Sequence, residues 1–86
     1  MGTKTNPGKF DCYAAALPDE PLFTLLARDP DFSALVRDWA LRREHAIRSG
    51  KRPASDIDMV TEARQLADEA IIWRRANFGA WRKASD

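Results

Sequence analysis

Two stretches of helical periodicity, separated by Gly50 and Pro53, constrain this sequence more than any other feature. The first stretch repeats apolar residues at spacings of three and four, namely Phe32, Leu35, Val36, Trp39, Ala40 and Ile47. The second has a seam of Met59, Ala63, Leu66, Ala70, Trp73 and Asn77, widened by Val60, Ala67, Ile71, Phe78 and Trp81. Such spacing places apolar side chains on one face of an α-helix. The sequence therefore predicts two long amphipathic helices, with Trp39 as an anchor in the first apolar face.

Short local signals predict where these helices begin and end. Asp29-Pro30 is typical of a helix start, because Asp can cap free N–H groups and proline needs no N–H there. Ser49-Gly50 predicts the end of the first helix, with glycine as the stop. Residues 55–58 resemble a capping box that opens the second helix. A connection of about five residues between two long helices implies an antiparallel hairpin.

The N-terminal part is expected to pack across this hairpin. Residues 1–9 are small, polar and contain glycine and proline, which predicts a disordered lead-in. Residues 10–17 are long enough for one or two helical turns before Pro18. Residues 22–28 could form a short buried helix or an extended segment, and we favour the helix because only Thr24 is β-branched.

The predicted architecture is therefore all-α: an antiparallel hairpin of two long helices, with a short helical or extended N-terminal segment packed across it. It forms a single domain over residues 10–83, with a tail at 84–86. A domain this small often needs a disulfide, a metal or a partner subunit for stability. One cysteine, Cys12, and one histidine, His45, provide neither a disulfide nor the usual zinc ligands. We expect a homo-oligomer without metal or cofactor, since the last helix carries apolar residues such as Ile72 on more than one side.

Nothing in the sequence indicates catalysis. His45 lies beside Glu44, but no second histidine, glycine-rich phosphate loop or metal-ligand spacing accompanies it, so we interpret it as a solvent-facing helix residue. Cys12 has no basic neighbour in sequence and is interpreted as a packing residue. No apolar run approaches the roughly 18 residues of a membrane span, and no signal peptide is recognisable. The sequence predicts a non-enzymatic protein of the cytoplasm, without a membrane partner.

Arginines are concentrated in two places. The net charge is only +1, but residues 1–36 hold three Lys/Arg against five Asp/Glu, whereas residues 37–86 hold eleven against eight. Ten of the fourteen cations are Arg, whose planar guanidinium makes forked contacts with carboxylate or phosphate. The predicted ligand contacts are Arg42, Arg43, Arg48 and Arg52 at the end of the first helix, and Trp73, Arg74 and Arg75 on the second.

Two interpretations of the first group are open. Asp56, Asp58 and Glu62 can neutralise it across the hairpin, and cations at a helix C-terminus also complement the helix dipole. If the acids do not neutralise it, the hairpin tip is the best site in the chain for a small anionic ligand such as a nucleotide. The two arginine groups lie at opposite ends of an antiparallel hairpin, so a pocket shared by both would form between subunits.

An alternative is a nucleic-acid-binding accessory or regulatory protein. Aromatics and cations alternate at the end of the second helix, as base stacking and phosphate contact require. The contacts in that case are Arg74, Arg75, Arg82 and Lys83. The near-neutral net charge argues against it, because non-specific nucleic-acid binding depends on neutralising phosphates.

A family resemblance is carried by residues 19–30, which read Asp-Glu-Pro-Leu-Phe-Thr-Leu-Leu-Ala-Arg-Asp-Pro, together with Leu35-Val36 and Trp39-Ala40 that follow. This stretch resembles a recurrent one in small phage and prophage proteins of alphaproteobacterial type, and the similarity covers residues 19–43. The resemblance implies a phage-type origin and a bacterial cytoplasm. Small phage proteins commonly act by binding, so it also implies a host-defence antagonist that binds a host protein or sequesters a nucleotide signal.

Overall fold

The computed structural model describes residues 1–79, and this part of the chain is helical without any strand. Its helices are α1 (Cys12–Ala15), α2 (Phe32–Arg48) and α3 (Ile57–Ala76), with a 3₁₀ turn at Ala54–Asp56 immediately before α3. The prediction of an all-α chain with two long helices is confirmed. Residues 80–86 lie outside the described part, and with them the predicted contacts of Trp81, Arg82 and Lys83.

Helix α2 begins two residues later than the position of Pro30 and ends where the sequence predicts. Asp29 and Pro30 form a turn in front of the helix, in which the Asp29 carboxylate accepts the N–H of Asp31 at 2.8 Å. At the other end Gly50 adopts φ +79°, a backbone conformation that residues with a side chain rarely adopt. The N–H of Lys51 then reaches back to the carbonyl of Ala46 at 2.9 Å, which completes a Schellman-type helix end.

The start of α3 differs from the predicted capping box. The chain enters through the 3₁₀ turn, and the Asp56 side chain makes no capping hydrogen bond to the helix. Its carboxylate instead accepts hydrogen bonds from Arg43 and Arg52. Charge-assisted bonds of this kind are stronger than neutral ones, so the arginines take the oxygen that a cap would have used.

Helices α2 and α3 pack against each other, and their contacts run in opposite order along the two helices. The Ser33 hydroxyl donates to the Ala67 carbonyl at 2.7 Å, near the start of α2. Near its end, Glu44 accepts from Arg64 at 2.6 Å. The buried side chains between them are small, namely Ala40, Val60, Ala63, Ala67 and Ala70. Small side chains let two helix backbones approach closely, which explains why alanine fills the seam.

The N-terminal part of the chain is mostly non-helical. Helix α1 forms as predicted, and the Asp11 carboxylate caps its first N–H groups. The preference for a helix at residues 22–28 was wrong, because residues 21–26 form no regular structure and a turn follows. None of residues 21–28 is fully buried, so no tertiary packing stabilises a short helix there. The expected burial is also absent there, since Phe23 is 86% exposed.

Contacts near both ends of this N-terminal part tie it to the long helices, among them an ion pair between the Met1 amino group and Glu62 Oε1 at 3.4 Å. Met1 packs against the buried cluster of Ala40, Val60 and Ala63. The carbonyl of Arg28 accepts a hydrogen bond from Arg74 Nε at 3.2 Å. Among residues 1–79, no helix combines the length and the apolar character needed to cross a membrane.

Candidate functional site

A shallow open depression of about 280 Å³ lies at the tip of the helix pair. We call it the tip depression, and its lining residues are Trp39, Arg42, Arg43, Ala46 and Arg52. The first four recur on α2 at spacings of three and four, so they share one side of that helix. Arg52 comes from the connection that follows Gly50, whose positive φ turns the chain back. A helix face and a tight turn therefore bring three arginines and one tryptophan together.

Two carboxylates hold these arginines. Arg42 Nε lies 2.8 Å from Asp38 Oδ2, one helical turn earlier. Arg52 Nε and Arg43 Nη1 share a single oxygen, Asp56 Oδ2, at 2.9 and 3.5 Å. Only 13% of the Asp56 side chain is exposed, which makes it the most enclosed charge of the group. Of the acids expected to neutralise the tip, Asp56 pairs with these arginines, whereas Asp38 takes the role that the sequence assigned to Asp58 and Glu62.

Trp39 is the residue of this site that sequence reasoning missed. It was predicted as a core anchor, and it does pack against the buried cluster, but it is only partly buried. The Arg43 guanidinium carbon lies 5.1 Å from the centre of its ring, within the range of a cation–π contact. The spacing of Trp39 and Arg43, four residues apart on one helix, is the signal that could have revealed this pair.

Arg48 belongs to a separate ion cluster and does not line the depression. Its guanidinium lies 3.0 Å from Glu44 Oε1, while Arg64 on α3 lies 2.6 Å from Glu44 Oε2. The hydrogen bond from Arg64 is the main reason why the pKa of Glu44 is lowered, with desolvation acting in the opposite direction and the charge of Arg48 adding to the decrease. Glu44 is thereby stabilised as a carboxylate that bridges the two long helices.

The second predicted group, Trp73, Arg74 and Arg75, lies far from the tip. From Asp56 to Arg74 the rise of α3 amounts to roughly 27 Å at about 1.5 Å per residue. Trp73 and Arg75 are exposed, and Arg74 is partly buried against Arg28. One chain therefore does not bring the two predicted groups together, in agreement with the expectation from the sequence.

The two residues weighed as reactive groups are both on the surface. His45 is exposed on α2, as interpreted from the sequence. Cys12 is also exposed, so its interpretation as a packing residue was wrong. Helix α1 buries none of its residues, and it therefore provides no core for the thiol to join.

Comparison with known proteins gives no relative: no family model, no curated protein and no solved structure matches this chain. Within residues 1–79 no group of three or more His, Cys, Asp or Glu side chains is placed to hold a metal ion. The geometry of the tip and of α3 carries the functional argument.

Proposed function

We propose that this chain is a non-enzymatic binding protein that works as an oligomer of its own chain. One observation carries the proposal. The buried side chains of the described part are four alanines and a valine, whereas many large apolar side chains stay exposed. The exposed set is Tyr13, Leu17, Leu22, Phe23, Leu26, Leu35, Leu41, Ile57, Ile72, Trp73 and Phe78.

This distribution favours a further binding event. Burying one large apolar side chain is worth about 1.5–3 kcal/mol, and an alanine contributes much less because its area is small. The chain therefore leaves many large apolar side chains in water, while its fully buried seam consists of small residues. Apolar patches that remain on a folded surface mark places where another surface docks.

Helix α3 offers the most regular docking face. Ile72 is 67% exposed and Trp73 is 41% exposed. The two lie about 100° apart around the helix: Ile72 lies on the side opposite Ala67 and Ala70, which face α2, and Trp73 lies on the flank next to Ala70. We call this pair the α3 outer face. An aromatic and a branched aliphatic residue side by side are typical of the anchors at the centre of protein interfaces.

A second copy of the chain is the occupant we propose. Domains of this size commonly gain stability by oligomerisation. The charge distribution also favours self-association, because residues 1–36 carry five acids against three cations while residues 37–86 carry eleven cations against eight acids. In a two-fold pair the same patches meet reciprocally, so the acidic part of one chain can approach the basic part of the other.

The proposal includes the complete architecture, in which α2 and α3 form an antiparallel hairpin with the N-terminal segment packed across it. The bond from Arg74 to the Arg28 carbonyl and the packing of Met1 support this arrangement. The resemblance of residues 19–43 to small phage proteins supports a role in the bacterial cytoplasm as a host-defence antagonist. In that role the oligomer binds a host protein or a small anion and converts neither.

Light scattering combined with sedimentation velocity tests the oligomer. Wild type should exceed 9.7 kDa at micromolar concentration. Ile72→Glu should yield a monomer, because a carboxylate cannot be buried in an apolar interface without a partner. Leu41→Glu is the matched control, since Leu41 is an exposed apolar residue of α2, and it should sediment like wild type. A wild type of 9.7 kDa at all concentrations would refute the proposal, and so would equal dissociation by both variants.

A further inference from the structure

We infer that the tip depression is a binding site for the phosphate group of a small molecule. The inference goes beyond the proposed oligomer, since the lining residues lie at the tip and not on the α3 outer face. It also changes the site expected from the sequence, because Trp39 takes the place of Trp73, and no second subunit is needed to supply Arg74 and Arg75.

Hydrogen-bond donors exceed acceptors in this depression. A guanidinium carries five N–H donors in a planar fork. The bonds to Asp38 and Asp56 engage one nitrogen of each arginine: Nε of Arg42, Nη1 of Arg43 and Nε of Arg52. These three side chains line an open depression. A phosphate group, with several oxygens on one centre, accepts such forked bonds from two or three arginines at once.

The charges of the depression also favour an anion. Three guanidinium groups face two carboxylates, and Arg43 and Arg52 share one oxygen of Asp56. The site thus keeps a positive excess after its internal ion pairs are formed. Because Arg43 and Asp56 are mostly enclosed by protein, an added anion feels this excess with less screening than on an open surface.

The arginines are held in position before any ligand arrives. Asp56 fixes Arg43 and Arg52, the Trp39 ring supports Arg43 from one side, and Asp38 orients Arg42. Ordering long side chains is one of the costs of binding, and restraining them in the free protein reduces it. The intramolecular ion pairs therefore prepare the site, while the unequal number of charges leaves it open to an anion.

Calorimetry with pyrophosphate and AMP as probes tests the site. Wild type should bind pyrophosphate, and Arg42→Gln and Arg52→Gln should each raise its Kd about tenfold, since each removes a charge-assisted contact. Arg48→Gln is the matched control: it removes the same charge from the same end of α2, but Arg48 does not line the depression. The Kd of Arg48→Gln for pyrophosphate should change less than about threefold.

A gain of affinity supplies a second test. Asp38→Asn keeps a side-chain oxygen that can accept the hydrogen bond from Arg42 but removes the negative charge, and it should lower the Kd for pyrophosphate about threefold, because the charge excess rises by one. Dependence of both pyrophosphate and AMP binding on Arg42 and Arg52 would support recognition of phosphate. Three outcomes would overturn it: no heat with either probe, equal weakening by Arg48→Gln, or AMP binding independent of Arg42 and Arg52. Ile72→Glu should retain the affinity, so this test and that of the oligomer fail separately.

Discussion

The two ends of the helix pair are stabilised by different forces. At the tip, ion pairs join Asp38, Glu44 and Asp56 to arginines, and the cluster of Ala40, Val60 and Ala63 lies close by. At the opposite end, from Ala67 to Ala76 with residues 22–31, large apolar side chains remain exposed. The charged groups named at the tip are paired within one chain, whereas the apolar side chains at the opposite end stay exposed unless another surface covers them. A short chain can thus separate polar recognition from apolar association by placing them at the two ends of one helix.

Enlarging an alanine of the seam should show this contrast most strongly. Ala63→Leu should lower the free energy of unfolding by about 2–3 kcal/mol, because Ala63 is fully buried in the central cluster and has no room for more atoms. Ala70→Leu is the matched variant near the opposite end, and it should cost less than about 1 kcal/mol, because Ala70 is 4% exposed and lies outside the central cluster. Chemical denaturation measures both, and equal losses would remove the proposed difference in packing.

Replacing the two described tryptophans should give the next largest contrast. Trp39→Ala should cost about 2 kcal/mol, less than for a fully buried tryptophan, because Trp39 is only partly buried. Trp73→Ala should stay within about 0.5 kcal/mol when unfolding is measured on dilute protein, since Trp73 is exposed in the single chain. A larger loss of unfolding free energy for Trp73→Ala than for Trp39→Ala would show that the main apolar anchor lies at the end of the helix pair opposite the tip.

The smallest effect concerns the pH dependence of stability at the tip. The pKa of Glu44 is lowered in the folded state, chiefly by the hydrogen bond from Arg64. Folding therefore stabilises the ionised form of the Glu44 carboxyl group relative to its protonated form. The resulting stability is present above the ordinary glutamate pKa of about 4.3 and is lost as pH falls through the lower folded value. Thermal unfolding between about pH 5 and pH 3 should show a shallower loss for Glu44→Gln than for wild type.

Arg64→Gln should flatten this pH dependence less than Glu44→Gln does, because Arg48 still lowers the pKa of Glu44, and Arg48→Gln should flatten it least, because its charge is a weaker cause of the lowered pKa. Identical curves for wild type and Glu44→Gln would show that the bridge between α2 and α3 contributes no pH-dependent stability.

The sequence predicted the helices well because their signals are local. The apolar spacing and Gly50 were sufficient to place α2 and its end. The errors arose where tertiary contacts compete with local preference. Asp56 binds two arginines rather than capping its helix. Residues 22–28 have helix-forming leucines but none of them is fully buried, so packing does not stabilise a helix there.

The candidate site was predictable only in part. Periodicity placed the arginines at the tip, but it could not show that Arg43 and Arg52 converge on one carboxylate oxygen, since that depends on the path of the connection. Trp39 was assigned to the core because apolar spacing alone does not distinguish the centre of a seam from its edge. Each miss therefore reflects a contact between residues that only the folded chain brings together.

The central claim is that the chain associates through its apolar end. Methyl NMR of the isoleucines, followed over a dilution series of the protein, tests this claim most directly. Ile57 is 42% exposed at the tip and Ile72 is 67% exposed on the α3 outer face, so one spectrum reports on both ends. If the chain associates through its apolar end, the Ile72 methyl signal should move with protein concentration while that of Ile57 stays fixed. A fixed Ile72 signal, or a concentration-dependent signal from Ile57 alone, would contradict the account.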